Sequence, residues 1–382
     1  MTILFSLTYY RPYVSGLTLA VSRWAEGLAA SGETVTVLAL QHEKHLLFHE
    51  RMHGVIVERA AWIARISKGF VSLDWWIKSW HLAGLHDVTV VNLPQFEGII
   101  PALAAKLRGK RVIAIYHCEI VLPTGWVNSV IQSLLEVSNF CTLWVADEVV
   151  TYTNDYAKHS RLLRLLSRYG KRNCTAIVPP VPKPKASAAL TRTIQRRIGT
   201  SPLVIGVAAR LAAEKGIEHV LRAIPLIVSL RKDKAVTVAI AGPMDPVGEE
   251  AYKASIMKLV KRYYKHVCFL GSIAPEKMGS FYRNIDVLVL PSVNSTESFG
   301  MVQVEAMLYG VPVVASNLPG MRVPVQKTGM GRLVRSADAP EIARAVVSLA
   351  ADRDSYRKDT AGVEAVFSQR RAVDALIALL RS

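Results

Sequence analysis

Two glutamates, Glu297 and Glu305, lie eight positions apart around a Ser-Phe-Gly turn in the stretch ESFGMVQVEAMLYG. The residues from Glu305 onward follow a helical pattern, and Gly310 is predicted to end that helix. Backbone amides at a helix start can bind an anion, and a glycine there has no side chain to hold a phosphate away. In this stretch they belong to Ser298, Phe299, Gly300 and Met301. The carboxylates on either side can accept hydrogen bonds from sugar hydroxyls.

Two cations, Arg210 and Lys215, follow the predicted strand 203–208 in the segment GVAARLAAEKGIEHVLRA. This is the carboxyl end of a strand, where open α/β sheets bind ligands. The guanidinium offers a fork of donors and the ammonium a point charge, so the pair can stabilise negative charge on a leaving diphosphate. Since no Asp-x-Asp motif lies near a predicted strand end, we expect no metal. The alternative is two solvated surface cations.

One histidine, His117, comes directly after the predicted strand 111–116. A neutral imidazole at a strand's carboxyl end can hydrogen-bond a sugar or steady a carbon that develops positive charge. A histidine with a purely structural role is the alternative interpretation.

Three segments taken together resemble the retaining glycosyltransferases of family four, whose fold is called GT-B. They are the Glu-seven-residues-Glu element, the stretch 206–223 that contains Arg-Leu-x-x-x-Lys-Gly, and RNIDVLVLPS at 283–292. The resemblance covers most of residues 200–350. It is looser in the first half, at YYRPYVSGLTLAVSRWAEGLAASGETVTVLAL, YHCE and ADEVVTYTNDYAKHS.

The resemblance implies a role for each of these residues. By position, Glu297 holds hydroxyls of the transferred sugar and Glu305 holds the ribose. Arg210 and Lys215 grip the diphosphate, and His117 corresponds to a histidine of the cleft.

The first loop departs from the family pattern. The family usually has two adjacent glycines there, whereas this chain has Ser15-Gly16, so Gly16 carries the phosphate contact alone. For retention, the resemblance implies same-face attack, with the leaving phosphate oxygen taking the proton of the acceptor. Glu297 as a covalent nucleophile is the alternative.

Apolar strands alternate with amphipathic helices throughout the chain, which predicts an α/β protein with two Rossmann-like domains and parallel, doubly wound sheets. The predicted strands are 3–7, 34–39, 88–92, 111–116, 148–152, 203–208, 236–241, 287–290 and 311–315. We predict domains at 1–182 and 183–364, joined by the proline-rich connector VPPVPKPKAS. The resemblance implies that the domains face each other across a deep cleft. It also implies that a last helix in 365–382, capped by Ser368, crosses back to the first domain.

Composition fits a packed globular protein, with 382 residues of which 51% are hydrophobic. The net charge of +17 favours anionic partners, such as nucleotide diphosphates, phospholipid headgroups or nucleic acid. Four dispersed cysteines indicate reduced, buried thiols rather than a zinc site or disulfides. No apolar run reaches the length of a membrane span, and the opening MTILFSL is predicted to be a strand rather than a signal peptide.

Two segments raise the question of a membrane surface. SKGFVSLDWWIKSWHLAG places three tryptophans (75, 76 and 80) near Lys68 and Lys78, which suits an interfacial helix, a domain core or an acceptor wall. SRLLRLLSRYGKR spaces basic residues along one helical face, which suits solvent first and an anionic membrane second.

These observations predict a cytoplasmic, metal-independent hexosyltransferase that needs no cofactor. The donor, a nucleotide-diphosphate sugar, would bind the second domain, and a glycan or lipid-linked acceptor the first, in synthesis of a cell-envelope polysaccharide or glycolipid. An anionic membrane, at the inner face of the cell membrane, is a further expected partner. A nucleotide-sugar epimerase of the same architecture and a basic nucleic-acid-binding protein are the alternatives.

Overall fold

The computed structural model of the chain describes residues 1–66, 69–122, 125–171, 174–231, 235–244, 248–356 and 360–382. Lys68, one of the cations near the tryptophans, lies outside the described residues. The chain divides into two compact units. The N-terminal unit contains Met1–Pro180 and Ser368–Ser382, and the C-terminal unit contains Val181–Phe367.

The unit boundaries lie a few residues away from the predicted positions 182 and 364. Pro180 belongs to the N-terminal unit because its carbonyl accepts a hydrogen bond from Arg23 Nη1 at 3.3 Å. The C-terminal unit runs to Phe367 because that ring packs against Phe299, with ring centroids 5.8 Å apart.

An eight-stranded sheet forms the centre of the N-terminal unit, in the order β10-β9-β8-β7-β1-β2-β4-β3. Its pairs are parallel except β3 with β4. The short strands β5 and β6 form a separate antiparallel pair. The strands are β1 (Thr2–Ser6), β2 (Thr34–Leu40), β3 (His49–Met52), β4 (Val55–Ala60), β5 (Ala64–Ile66), β6 (Gly69–Val71), β7 (Val88–Leu93), β8 (Arg111–Tyr116), β9 (Glu148–Thr151) and β10 (Cys174–Ala176).

Most helices of the N-terminal unit begin at a serine or threonine whose hydroxyl caps the first turn. The Ser15 hydroxyl accepts from the Thr18 amide and the Thr18 hydroxyl accepts from the Ser15 amide, so the first helix begins at Gly16. The helices are α1 (Gly16–Ala30), α2 (Leu73–Leu85), α3 (Ile99–Lys106), α4 (Trp126–Val145), α5 (Asn154–His159) and α6 (Arg161–Arg168).

A six-stranded parallel sheet forms the centre of the C-terminal unit, in the order β13-β12-β11-β14-β15-β16. Its strands are β11 (Val204–Ala208), β12 (Thr237–Ala241), β13 (Val267–Gly271), β14 (Val287–Leu290), β15 (Val313–Ser316) and β16 (Gly331–Val334). Its helices are α7 (Ala188–Ile198), α8 (Ile217–Leu230), α9 (Glu250–Arg262), α10 (Gly279–Tyr282), α11 (Met301–Met307), α12 (Val323–Thr328), α13 (Ala339–Ala351), α14 (Arg353–Tyr356) and α15 (Thr360–Phe367). Helices α8 and α13 contact each other, and both contribute to the buried core of this unit.

The last helix, α16 (Gln369–Arg381), packs against α1 of the N-terminal unit. Its cap is Ser368, whose hydroxyl accepts from the Arg371 amide. The Trp24 indole donates to the Ala372 carbonyl at 3.3 Å, and Arg381 pairs with Glu33 at 2.7 Å. The end of the chain therefore completes the core of the unit in which the chain starts.

All nine predicted strands occur in the structure, which confirms the doubly wound α/β class. The expectation of buried cysteines is wrong, because Cys141 is exposed on α4 and Cys118, Cys174 and Cys268 are only partly buried. Among the described residues, no helix is long and apolar enough to cross a membrane.

The packing of α16 against α1 predicts the effect of two substitutions on the free energy of unfolding. Leu376→Ala removes a fully buried side chain, so the free energy of unfolding of the N-terminal unit should fall by about 2–5 kcal/mol in urea titrations. Asp374→Ala on the exposed side of the same helix is the control and should change it by less than about 0.5 kcal/mol. Equal effects of the two changes would contradict the packing.

Candidate active site

The switch point of the C-terminal sheet lies between β11 and β14, where the order of strands reverses. Parallel sheets bind ligands beyond the carboxyl ends of the strands at such a point. The loop after β11 carries Arg210 and Lys215, and the loop after β14 carries Glu297. Three of the predicted residues are thus brought to one edge of one sheet.

The loop after β11 depends on a glycine. Ala213–Lys215 form a 3₁₀ turn that Gly216 ends with φ of 61°, in the left-handed region that favours glycine. A Cβ at Gly216 would lie 2.4 Å from the Pro291 carbonyl oxygen, which directly follows β14. The Lys-Gly pair of the sequence is therefore required where the two loops touch.

The loop after β14 is tied to the first loop by its backbone. The Val293 amide donates to the Glu214 carbonyl at 3.0 Å. The Asn294 side-chain oxygen then accepts from the Thr296 amide and hydroxyl, at 3.1 and 2.6 Å. This Asx turn directs the chain into Glu297.

Lys215 and Glu297 meet in an ion pair across the switch point. Lys215 Nζ lies 2.7 Å from Glu297 Oε2, and each side chain is 18% exposed. Arg210 lies in the same loop as Lys215, and its guanidinium pairs with the Glu214 carboxylate at 2.5 Å. Burial raises the pKa of Glu214, but the charge of Arg210 and the hydrogen bonds to the carboxylate outweigh burial, so the pKa lies below its ordinary value. Partly buried charges of both signs therefore face each other at this edge.

Helix α11 holds the second glutamate. Gly300 precedes the helix with φ of 75°, and a Cβ there would lie 2.5 Å from Leu290 Cδ2, so the turn needs glycine. Ser298 and Phe299 are buried, and Met301 is half-buried as the first residue of α11. Glu305 is buried and accepts a hydrogen bond from the Tyr282 hydroxyl at 2.9 Å.

Tyr282 is a site residue that the sequence interpretation missed. It lies at the end of α10, directly before the RNIDVLVLPS segment, and is fully buried. Its hydroxyl orients the Glu305 carboxylate. Its place directly before the RNIDVLVLPS segment was the sequence signal that could have identified it.

His117 is buried with both ring nitrogens hydrogen-bonded. The Asn92 amide nitrogen donates to the Ser6 and Val90 carbonyls, so its oxygen faces His117 and accepts from Nε2 at 2.9 Å. The Tyr152 hydroxyl then donates to Nδ1 at 2.5 Å. Burial lowers the pKa of His117 to about 3, so the ring is neutral. A direct contact with a substrate would replace one of these bonds.

Gly16 is the first residue of α1, at the carboxyl end of β1. A Cβ at this position would meet no atom within 4 Å. The fold itself therefore does not require glycine here. Open space over the start of a helix of 15 residues leaves room for an anion.

An aromatic cluster near the carboxyl ends of β1, β2 and β4 was also missed. Tyr9 and Tyr13 stack with ring centroids 4.6 Å apart, and His42 lies 5.5 Å from Tyr9. Phe70 contacts both Tyr9 and Trp62. The tyrosines share one loop, but His42, Trp62 and Phe70 come from three other segments, so sequence spacing does not bring the cluster together.

No group of three or more His, Cys, Asp or Glu residues that could hold a metal occurs in the described parts of the chain. The charged groups at the switch point are the cations Arg210 and Lys215 and the carboxylates of Glu214 and Glu297. The turns beside them depend on glycines with positive φ. Two α/β units with largely parallel sheets are the architecture called GT-B.

The family is identified by the C-terminal unit. Residues 192–361 match the family model described as "Glycosyl transferases group 1". The C-terminal unit therefore carries the sequence pattern of this group, and the chain is similar to GT-B glycosyltransferases of the family-four type. The family favours transfer of a sugar over the epimerase and the nucleic-acid binder.

Curated relatives are bacterial glycosyltransferases. The chain is 28% identical over 284 residues to the GDP-mannose-dependent alpha-(1-6)-phosphatidylinositol monomannoside mannosyltransferase of Mycobacterium tuberculosis, which covers 70% of this chain and 68% of that protein. It is 33% identical over 168 residues to the D-inositol 3-phosphate glycosyltransferase of Corynebacterium urealyticum, covering 43% of this chain and 39% of that protein.

Solved structures share the fold over the full length. Sucrose-phosphate synthase from Thermosynechococcus elongatus superposes with a TM-score of 0.80 at 20% identity, covering 100% of this chain and 98% of that one. Anabaena HepE in complex with UDP-glucose superposes with a TM-score of 0.76 at 19% identity, covering 100% and 99%.

The burial of His117 predicts how the free energy of unfolding depends on pH. In the unfolded chain the imidazole takes up a proton below its ordinary pKa of 6.5, whereas the buried ring does so only near 3. Protonation therefore favours unfolding, and the free energy of unfolding should fall as the pH drops from about 6.5 towards 3. Denaturant titrations from pH 7 to 4 measure this slope.

For His117→Gln we expect a slope shallower by about 1.4 kcal/mol per pH unit, the value for one proton. His81→Gln, at an exposed position, is the control and should keep the slope. Burial also lowers the pKa of His42 and His86, so part of the dependence should remain. A His117→Gln slope equal to that of the unaltered protein would contradict the neutral, buried ring.

Proposed function

We propose that this glycosyltransferase moves a hexose from a nucleotide-diphosphate sugar to a hydroxyl of a glycolipid or glycan, with retention of configuration and without a metal ion. The ion pair of Lys215 and Glu297 carries the proposal. It holds a cation and a carboxylate 2.7 Å apart, the charges that a diphosphate and the hydroxyls of a hexose require.

The donor side follows from the chemistry of these groups. Lys215 and Arg210 bind the diphosphate, Glu297 accepts hydrogen bonds from the hexose, and Glu305 accepts them from the ribose. In the free protein each cation is paired with a glutamate, which keeps the charges compensated. Donor binding exchanges these pairs for phosphate and hydroxyl contacts. The amides beside Gly300 face phosphate oxygens in the same scheme.

Transfer breaks the bond between the anomeric carbon and the diphosphate oxygen and forms a bond from that carbon to the acceptor oxygen. Negative charge grows on the leaving diphosphate, where Arg210 and Lys215 stabilise it. The acceptor hydroxyl attacks from the face that the diphosphate leaves, and its proton passes to the leaving phosphate oxygen. His117, neutral and fixed by two hydrogen bonds, supports the wall of the acceptor side.

Relatives guide the choice of substrates. The mycobacterial relative is named as dependent on GDP-mannose and specific for phosphatidylinositol monomannoside, and HepE was solved with UDP-glucose. We take GDP-mannose as the first donor and a glycolipid with a polyol headgroup as the first acceptor. The reaction then takes place in the cytoplasm, at the inner face of the cell membrane.

Removal of a cation should slow the chemical step. Arg210→Ala and Lys215→Ala should each lower kcat by about a hundredfold or more, because each removes a charge directed at the transition state. Lys258→Ala, at an exposed position of α9, is the control and should keep kcat. Initial rates with and without a chelator measure both claims. Full activity of both site variants would contradict the roles, and a chelator effect reversed by magnesium would contradict metal independence.

The roles of Glu297 and Glu305 should be distinguishable when the affinity for the nucleotide diphosphate is compared with the affinity for the nucleotide sugar. A thermal-shift screen with GDP-mannose, UDP-glucose and ADP-glucose first identifies the donor. Glu305→Gln should then weaken the donor and its nucleotide diphosphate by the same factor, about tenfold or more, because both contain the ribose. Glu297→Gln should weaken the donor alone, because only the donor carries the hexose. The opposite pattern would exchange the two roles, and no stabilisation by any donor would contradict the function.

A further inference from the structure

Three neighbouring helices cover one side of the N-terminal sheet, and each exposes apolar side chains. Helix α3 contacts both α2 and α4. We call the outer surface of these helices the α2–α4 face. It is unusual because the outer surface of a helix normally carries polar residues.

Helix α4 exposes one continuous apolar stripe. Leu135, Asn139, Thr142 and Leu143 face the interior of the unit. The opposite side exposes Val127, Val130, Leu134, Val137 and Trp144. They are spaced three, four or seven residues apart, as residues on one side of a helix are. With about 1.5 Å per residue, this helix of 20 residues is about 30 Å long. Its one charged residue is Glu136.

Helices α2 and α3 extend this surface. On α2 the exposed residues are Leu73, Trp76, Ile77 and Trp80, the spacing of one helical side, while Trp75 is fully buried in the core. On α3 the exposed apolar residue is Leu103, and Leu107 is exposed directly after the helix. The tryptophan segment of the sequence thus contributes one core residue and two surface residues.

The exposed apolar surface is large for a monomer. Trp126 is 81% exposed, and Trp76, Trp80 and Trp144 are about half exposed. A tryptophan has up to about 250 Å² of surface to bury, so four such side chains alone equal the largest apolar patch of a typical monomer, about 300–600 Å². A surface of this size marks an interaction site.

The charges around the face are positive. Three acidic residues near it have a cationic neighbour, in the pairs Glu136 with Arg161, Asp147 with Lys106 and Asp74 with Lys78. Helix α6, which contacts α4, contains Arg164 and Arg168 in an exposed position and no acidic residue.

Aromatic and basic residues also meet at the edges of the face. The Arg108 guanidinium lies over the Trp80 ring, 3.8 Å from its centroid. Tyr169 at the end of α6 contacts Phe140, which stacks on Trp144. Such an arrangement suits the headgroup region of a membrane, where aromatic rings lie between tails and water and cations meet phosphates.

We infer that the α2–α4 face docks the protein on an anionic lipid bilayer, with the apolar stripes in the acyl boundary and the arginines of α6 at the phosphates. The positive border favours this partner over a second copy of the chain, which would bring the same cations to the contact. The inference stands on the residues of the face and does not depend on the donor or acceptor proposed above.

Vesicle co-sedimentation without substrate tests the docking. The unaltered protein should bind vesicles containing phosphatidylglycerol more tightly than vesicles of phosphatidylcholine alone, with a blue shift of tryptophan emission. The triple variant V130Q/L134Q/V137Q should bind at least about tenfold more weakly, because it removes apolar contact without a change in charge. The double variant R164Q/R168Q should lose roughly fivefold per arginine on the anionic vesicles only.

Matched changes outside the face are the controls. L226Q/L230Q replaces two exposed leucines of α8, and R370Q replaces an exposed arginine of α16. Both should bind vesicles as the unaltered protein does. Nucleotide-sugar stabilisation, measured on the same variants, separates loss of docking from loss of the active site.

Three results would overturn the inference. The first is no binding of the unaltered protein to anionic vesicles. The second is equal binding by the face variants and the controls. The third is a dimer in analytical ultracentrifugation that V130Q/L134Q/V137Q dissociates, which would make the face a contact between two copies.

Discussion

The close approach of two loops at the switch point of the C-terminal sheet is the constraint on which the candidate site depends. The hydrogen bond from Val293 to the Glu214 carbonyl joins the loops, and Gly216 allows it because any side chain there would collide with the Pro291 carbonyl. Only with the loops in this register do Lys215 and Glu297 meet, although 82 positions separate them. A pair of opposite charges is therefore maintained by backbone geometry rather than by the side chains themselves.

Much of this could be predicted because parallel sheets constrain their loops. Once the apolar runs 203–208 and 287–290 are assigned as strands, Arg210, Lys215 and Glu297 must lie at carboxyl ends. That β11 and β14 are neighbours does not follow from their sequences, since β12 and β13 lie between them in the chain. The resemblance to a known family supplied only that residues of the two following loops serve one donor. Strands β3, β4, β5, β6, β10, β13 and β16 were missed. For β3 and β4 the reason is that HERM and VIVERA mix charged and apolar residues.

The features that could not be predicted depend on contacts between distant segments. His117 was expected to hydrogen-bond a sugar or steady a developing positive charge, but Asn92 in β7 and Tyr152 directly after β9 engage both ring nitrogens. Tyr282 reaches Glu305 from a helix of four residues. The helical pattern of α4 was visible in the sequence, but its apolar side could have faced the sheet, and only the packing of Leu135 and Leu143 against the core shows that a second apolar side is left outside.

The return of α16 to the first unit has a consequence for biosynthesis. The C-terminal unit is inserted in the chain between two parts of the N-terminal unit. A ribosome therefore completes the C-terminal unit before it has made α16, which belongs to the N-terminal unit. Until Leu376 and its neighbours emerge, the groove on α1 that includes Trp24 is uncovered. This apolar surface of α1 must therefore stay protected from aggregation through the synthesis of the whole intervening unit, and it is covered only when α16 has been made and packs on it.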